Sequence, residues 1–509
     1  MKMVGISNLQ RVHPTLTEPR LLFLIMDRSI WACFTLQTTS AVEKMPTCSA
    51  PYSHLPRRYR FLILFSIVIA SFHVLSWDFW TLFNAMSNRQ NRLPPLTLDG
   101  TTYEGGGGLI RYAIAYSSLL NRPVTIHSIR ANRPGIGGLR PEHTAAIATL
   151  AELASAEVTG NLPASRQVTF NPHADSAVSA KHLPLEMDIT VEGSASIFLI
   201  AMLPYLLFGH IAAHFNGFAS RLNTNDGLRL TIRAGTLCVK APSFPYLQQV
   251  LLPTLGLIGI GSENLKLEPE QEQGWHTENK KYPGKMVAWI KPLSKPLPAF
   301  ILERRGKLQS IRVTAHVPRH AMKRFEEILH SEVGDTFKTR TEKFSLAVEM
   351  FASDPEDQYH LLISAATEAP KAYLGYEQVF PQSDVFPREI EGDVDKIAVL
   401  LVRSCIHGIW AELRRGNAVD EHAEDILVFY QSVASGFSSI IAPDNEVSVP
   451  EINLETSAIK SGSQYEVNVG SMHRQTSWWM VETMTGVRQE TRHLGGKDRV
   501  GCEGFGLGK

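Results

Sequence analysis

A glycine run between charged residues is the first feature of the sequence that can do chemistry. Four consecutive glycines form it: Gly105, Gly106, Gly107 and Gly108. Glycines let backbone N–H groups approach a phosphate closely, and a helix that begins after them offers its positive N-terminus. Glu104, just before the run, can hold a divalent metal, and Arg111, just after it, can bind a phosphate. Glycine runs also form flexible turns, so the prediction of a phosphate site depends on its neighbours.

A second loop supplies a local positive patch. Arg130, Arg133 and Arg140 lie within eleven residues and precede His143. Overall charge gives no such signal, because 50 Lys and Arg balance 50 Asp and Glu. The loop is either a solvated basic segment or a phosphate and RNA contact, and its place after the glycine run favours the second.

Alternating strand and helix patterns must position these two loops. Leu96 to Asp99 alternates like a half-buried strand, a helix is predicted from about Leu109 to Leu120, and Pro141 suits the first position of the next helix. Later apolar patterns predict four more helices: 197–208, 246–257, 394–414 and 421–435. Helices that alternate with strands in this way predict an α/β fold built from repeated units.

The chain divides into three predicted parts. Residues 1–94 form an N-terminal extension, residues 95–301 and 379–509 form the main domain, and residues 302–378 form a smaller inserted α/β domain between prolines. A length of 509 residues is long for one core. The five cysteines contain no CxxC pair, which argues against a structural zinc site and favours a reducing compartment.

An uncharged segment over residues 61–77 follows Arg57, Arg58 and Arg60 in the extension. Its length is near the lower limit for a membrane-spanning helix, and the basic flank would place the N-terminus in the cytoplasm. Three interpretations stay open: a signal anchor, a buried apolar helix, and a wrongly joined exon.

The two loops, in this order, resemble the RNA 3′-terminal phosphate cyclase family. The first loop matches the family's acidic residue, glycine run and arginine, and the second matches its arginines and glycines before a Gln-His pair, here Glu142 and His143. Weaker similarities, such as Cys502 to Gly506 for the last strand, extend the resemblance over about four-fifths of the chain. It implies repeated units of two helices packed on a four-stranded sheet, with the smaller inserted domain.

The resemblance also implies a chemistry and a set of ligands. Such cyclases use ATP and a divalent metal such as Mg²⁺ to place AMP on a histidine, pass it to an RNA 3′-phosphate, and form a 2′,3′-cyclic phosphate. The metal ligand would be Glu104. The phosphate and nucleotide ligands would be Gly105, Gly106, Gly107, Arg111, Arg130, Arg133 and His143.

Several positions depart from the family pattern. Our alignment places the nucleophilic histidine at Asn453, whose amide nitrogen cannot act as a nucleophile. Family glutamines are replaced by Gly108, Ile200 and Ile426. His473 would serve only after a large shift of register, so the catalytic residue stays unassigned.

Two functional hypotheses follow, and the departures favour the first. It is a non-catalytic RNA-binding or ribosome-biogenesis protein, with pre-ribosomal RNA or an RNA 3′ end and ribosome-assembly proteins as partners, in the nucleus or nucleolus. The second is an active ATP-dependent cyclase. A membrane-anchored protein is a third class that depends wholly on residues 61–77.

Overall fold

A computed structural model gives the architecture of residues 94–508, with gaps. It describes this range apart from positions 134, 221, 223 and 224 and the segments 173–184, 217–219, 270–271, 277–280, 338–343, 383–384 and 442–470. The apolar segment 61–77, with the rest of the extension up to residue 93, lies outside the described residues. Asn453 does as well.

The first repeated unit carries both predicted loops. Its elements are β1 (Leu96–Asp99), α1 (Gly107–Leu120), β2 (Val124–His127), α2 (Pro141–Leu153), β3 (Glu157–Thr159) and β4 (Val168–Asn171). The sheet order is β1-β2-β4-β3, with β1 parallel to β2 and the other pairs antiparallel. The glycine run therefore leaves β1, and the arginine loop leaves the neighbouring strand β2, so the two loops lie at the same edge of the sheet.

The second unit repeats this order. It consists of β5 (Glu186–Ser194), α3 (Ala195–Phe215), β6 (Leu228–Gly235), a broken helix α4, β8 (Leu265–Leu267) and β11 (Gly284–Ile290). The three pieces of α4 are Phe244–Tyr246, the π-helical Leu247–Leu251 and Leu252–Leu257. Its sheet order, β5-β6-β11-β8, has the same pattern. A small sheet of β7 (Leu237–Cys238), β9 (Trp275–His276) and β10 (Lys281–Tyr282) lies within the unit.

The third unit is interrupted by an insertion. Bridges from Pro298 to Ser435 and from Ile301 to Ser439 run parallel and supply its first strand position. Its remaining elements are α7 (Glu421–Val433), β16 (Ser435–Ile441), α8 (Met472–Thr485), β17 (Glu490–Leu494) and β18 (Lys497–Phe505). The order β16-β18-β17 completes the same sheet pattern. The predicted α/β class with repeated units is confirmed; the first two units have four-stranded sheets, and the third has three strands and the two bridges.

The insertion has a hydrophobic core of its own. It contains β12 (Leu308–Pro318), α5 (Met322–Phe337), β13 (Ser345–Ser353), β14 (Tyr359–Thr367), β15 (Tyr373–Phe380) and α6 (Val394–Arg415). The sheet order is β13-β12-β14-β15, and the core runs from Leu308 to Leu413. The predicted insertion ended at residue 378, before α6, whereas α6 packs its apolar face on this sheet.

Helix α3 shows why an apolar helix need not be a membrane helix. Among the described residues it alone is long and apolar enough to cross a membrane, but 89% of its most apolar window is buried inside the protein. Ser194 caps its start by accepting a hydrogen bond from the N–H of Ile197 at 3.2 Å. Helices on several sides surround α3, which explains a sequence that is hydrophobic on every face.

Candidate functional site

The glycine run forms a tight turn that only glycine fits at two positions. Gly105 has φ +59°, and a Cβ there would lie 2.4 Å from Oδ1 of Asn132. A Cβ on Gly107, the first residue of α1, would lie 2.4 Å from Nε2 of His143. The absent side chains thus let the N-terminus of α1 come against both the arginine loop and His143. The N-terminus of a helix, which favours anions, therefore lies beside cationic side chains.

Glu104 lies where three elements meet. Its carboxylate forms an ion pair with Arg133, and Nδ1 of His473 lies 2.8 Å from its Oε2. Its backbone N–H donates to Oγ1 of Thr476 at 3.3 Å, which ties it to α8. Oε2 is buried and accepts no aligned hydrogen bond from the described residues, and its contact with Nδ1 of His473 is an ion pair only while that ring is protonated.

Arg111 and Arg130 present guanidinium groups with unused donors. The Nε of each is buried and has no hydrogen-bond partner among the described residues. Arg130 is held with φ +53°, a left-handed conformation that is rare outside glycine. Burial lowers the pKa of Arg130, and the nearby charge of Arg140 adds to this effect. Two buried guanidinium donors without partners, beside a helix N-terminus, can bind phosphate oxygens.

His143 is buried behind the glycine run and stays neutral. Burial lowers its pKa well below the usual range, and the positive charges of Arg111, Arg130 and Arg140 lower it further. Its Nδ1 accepts a hydrogen bond from the backbone N–H of Arg140 at 3.2 Å. A neutral ring that accepts at Nδ1 carries its proton on Nε2, the atom that faces Gly107. His143 can therefore donate to a phosphate at this loop.

His473 joins these groups from a helix that the sequence analysis did not predict. It is the second residue of α8, which Ser471 caps through a hydrogen bond from the N–H of Arg474 at 3.2 Å. Its side chain is 57% exposed and faces the carboxylate of Glu104 with Nδ1. Partial burial lowers its pKa, an effect that the charge of Asp425 opposes. Nε2 is then left as the free ring nitrogen.

Asp425 completes the set on α7. Burial raises its pKa, while the charges of Arg111 and then His473 act in the opposite direction. Asp425 is held against α1, where the hydroxyl of Tyr112 donates to its backbone carbonyl oxygen at 3.0 Å. The structure thus brings Glu104, the glycine run, Arg111, Arg130, Arg133 and His143 to one edge of the first sheet, and it adds His473 and Asp425 from the third unit.

The donor set fits a nucleotide with its divalent cation better than a bare metal ion. Among the described residues no group of three His, Cys, Asp or Glu side chains could hold a metal. Mg²⁺ commonly takes only one or two carboxylates and completes its shell with water and substrate phosphates. The buried carboxylate of Glu104, which accepts no hydrogen bond at Oε2 from the described residues, can be one of these ligands. What the site can do chemically is hold a polyphosphate beside an accessible imidazole.

Comparison with known proteins gives one consistent family. The family model for RNA 3′-terminal phosphate cyclase matches residues 102–491. The chain is 28% identical over 355 residues to the RNA 3′-terminal phosphate cyclase of Desulfurococcus amylolyticus, covering 68% of this chain and 86% of that protein. It is 26% identical over 398 residues to the protein of the same name from Methanosarcina barkeri, covering 77% and 95%. A probable RNA 3′-terminal phosphate cyclase of Dictyostelium discoideum is 23% identical over 370 residues, covering 72% and 78%.

Proposed function

Because the chain belongs to the RNA 3′-terminal phosphate cyclase family, we propose that it is an active ATP-dependent cyclase whose AMP-accepting residue is His473. One observation carries the proposal: Nδ1 of His473 lies 2.8 Å from Oε2 of Glu104, at the glycine run. The non-catalytic hypothesis depended on Asn453 as the position of the family's nucleophile. That assignment lies outside the described residues, and His473 supplies an imidazole where the phosphate-binding groups converge.

The proposed reaction uses the two ring nitrogens of His473 differently. Nε2 attacks the α-phosphorus of ATP, a nitrogen–phosphorus bond forms, and the bond to the leaving oxygen breaks with release of pyrophosphate. The ring becomes positively charged, and the carboxylate of Glu104 beside Nδ1 stabilises that charge. Arg111, Arg130 and neutral His143 would hold the phosphate oxygens, and the divalent cation would share Glu104 and neutralise the polyphosphate.

The remaining steps transfer AMP to RNA. An oxygen of the RNA 3′-phosphate attacks the AMP phosphorus and displaces the imidazole. The adjacent 2′-hydroxyl then attacks the RNA phosphorus, loses its proton, and expels AMP, which leaves a 2′,3′-cyclic phosphate. The free energy of ATP hydrolysis thus converts a poor leaving group into a good one before the ring closes.

One structural observation favours a second function, a non-catalytic RNA-binding or ribosome-biogenesis role. Ile200 in α3 and Ile426 in α7 are buried in the core, at positions that the sequence resemblance matches to family glutamines. Buried isoleucines offer no hydrogen bonds to a nucleotide, which supports the non-catalytic RNA-binding or ribosome-biogenesis hypothesis. Nuclear or nucleolar location and ribosome-assembly partners follow from that hypothesis and stay predictions.

Protein labelling distinguishes the two functions. The purified full chain is incubated with Mg²⁺ and ATP labelled at the α-phosphate, and acid-labile label on the protein is measured. We expect the wild type and a His493→Asn control to be labelled and His473→Asn to carry no label. His493 is a suitable control because it lies exposed on β17, beside Asp498.

Two outcomes would count against the proposal. Label on His473→Asn at the wild-type level would place the nucleophile elsewhere. No label on the wild type, while an active cyclase is labelled in parallel, would exclude the covalent route and leave RNA binding as the function.

A further inference from the structure

An exposed tyrosine in a left-handed conformation lies directly beside the site. Tyr103 precedes Glu104, has φ +50°, and keeps 47% of its surface exposed. A bulky residue with positive φ is a strained outlier that persists only where the surrounding structure holds it. Here the turn is fixed by hydrogen bonds from Thr102 N to Asp99 O at 3.2 Å and from Gly105 N to Thr102 O at 3.0 Å. The strain holds an aromatic ring out in solvent, which hydrophobic burial does not explain.

Trp479 supports this ring from the helix that carries His473. The two ring centroids are 6.4 Å apart and the planes are inclined at 61°, an edge-to-face contact. Between Trp479 and His473 on α8 lies Thr476, whose hydroxyl accepts the backbone N–H of Glu104. Both rings are therefore attached to the backbone that positions Glu104 and His473. We call Tyr103 and Trp479 the aromatic pair.

The charges next to the aromatic pair indicate its occupant. Arg133, on the neighbouring loop, donates from Nε to the carbonyl oxygen of Glu104 at 3.1 Å, so a guanidinium lies one residue from Tyr103. Of the pair, Tyr103 is the exposed ring, and the part-buried Trp479 packs on the core and supports it. Proteins commonly hold single-stranded nucleic acid with exposed aromatic rings beside cations: the cations contact the backbone and the rings stack on bases.

An RNA strand fits this surface better than the adenine of ATP. Trp479 is six residues beyond His473 on α8, about 9 Å along the helix axis. This distance alone does not decide, because a mononucleotide also spans it, but a ligand that stacks on Tyr103 must pass into solvent there. A polynucleotide does so, and the open exposure of Tyr103 suits a strand that continues past it.

We propose that Tyr103 and Trp479 form a stacking platform for a base near the 3′-phosphate of the RNA strand. The inference rests on the proposed RNA 3′-end substrate and adds the residues that grip its last bases. Because every base has an aromatic face, the platform would bind many sequences with little preference among them.

The test compares intact RNA with RNA that lacks one base. Binding of a fluorescein-labelled oligoribonucleotide with a 3′-phosphate to the full chain is measured by anisotropy at constant salt, without ATP. Three further oligonucleotides are abasic at the last, second-last or third-last position. For the wild type we expect one of these to bind about tenfold more weakly, which is within the range for loss of one aromatic–base stack.

Variants assign the effect to the rings. Tyr103→Gly should bind intact RNA about tenfold more weakly and should no longer distinguish the abasic oligonucleotide. Glycine adopts φ +50° freely, so thermal unfolding should show that this variant is folded. Trp479→Leu should show the same loss in part, and Tyr103→Phe, which keeps the ring, should bind like the wild type.

Each contrary result has a distinct meaning. Equal binding of all four oligonucleotides by the wild type, or retained discrimination by Tyr103→Gly, would overturn the platform alone. Unchanged RNA affinity of Tyr103→Gly together with weakened ATP binding would overturn it in favour of adenine. Absence of any RNA binding would remove both the platform and the proposed substrate. Base-dependent binding by a protein that takes no AMP label would keep the platform and refute the proposed catalysis.

Discussion

The carboxylate of Glu424 connects three helices next to His473, and its charge should matter for both stability and activity. Glu424 is buried on α7, forms an ion pair with Arg415 at the end of α6, and its Oε2 lies 3.5 Å from Arg474 on α8. Burial raises its pKa, and the charges of Arg415 and then Arg474 oppose that effect. The substitution Glu424→Gln keeps the volume and removes the charge.

The expected loss in the free energy of unfolding depends on which carboxylate contacts each arginine retains in the variant. Removing one partner of a buried ion pair typically destabilises a protein by about 3–5 kcal/mol, because the other charge stays buried. Arg415 is 32% exposed and keeps Glu412 at 2.9 Å, so solvent and this contact stabilise its charge only in part, because burial raises the pKa of Glu412 to about 8. Arg474 is 11% exposed, and among the described residues Glu424 is the only carboxylate it contacts. We therefore expect Glu424→Gln to lower the free energy of unfolding by about 2–3 kcal/mol, below the full value for an isolated pair.

Urea unfolding of the full chain at pH 7 measures this, with Glu327→Gln as the matched control. Glu327 lies 3.1 Å from Arg324, and both side chains are about half exposed, so its loss should change the free energy by only about 0–1 kcal/mol. Because Arg474 follows His473, Glu424→Gln should also take up AMP more slowly than the control. Equal urea midpoints for the two variants would refute the assignment of a structural role to this buried charge.

Two further perturbations probe the glycine run and the neutral histidine behind it. Gly107→Ala places a Cβ 2.4 Å from Nε2 of His143 and 3.2 Å from Arg111, so we expect it to raise the ATP concentration needed for half-maximal labelling. Gly256→Ala, with nothing within 4 Å of its Cβ, should not, and equal ATP dependence of the two would contradict the proposed packing. Because the pKa of His143 is lowered in the folded state, below about pH 6.5 the unfolded chain binds a proton that the folded chain does not. The free energy of unfolding therefore decreases as the pH is lowered, by up to about 1.4 kcal/mol per pH unit. His143→Gln should flatten that slope between pH 6.5 and 5 in urea titrations, and parallel slopes would exclude a buried neutral histidine.

Most helices and strands were predictable because their periodicity is local. Helix α6 was recognised over nearly its full length, but a pattern of apolar residues identifies a buried face and not the sheet that the face covers. Its packing on β14 and β15 is a tertiary fact, and the predicted insertion, residues 302–378, assigned this helix to the main domain. Helix α8 gave no clear pattern, since threonines and two tryptophans in its sequence have weak helix preference.

The site was predictable to the extent that its residues lie on two adjacent loops. The glycine run and the arginine loop are separated by one helix and one strand, and parallel pairing of β1 with β2 brings their ends together. The contact of Glu104 with α8 spans 372 positions of sequence, from Glu104 to Thr476. No local pattern encodes such a contact, so the third unit's contribution to the site emerged only from the fold.

The neighbours of His473 in the fold, and not its position along the sequence, are the reason for proposing it as the nucleophile. Alignment with the family pattern placed the nucleophile at Asn453, on the assumption that spacing along the chain is preserved. Segments between strands and helices, however, tolerate insertions readily. The chemistry instead requires an imidazole with one nitrogen beside a carboxylate, the other free, and cations nearby to hold phosphate. His473 meets these requirements at Glu104, with Arg111 and Asp425 in the same electrostatic field. Its neighbours in space therefore favour His473 over Asn453 as the proposed nucleophile, and labelling of the His473→Asn variant tests that proposal.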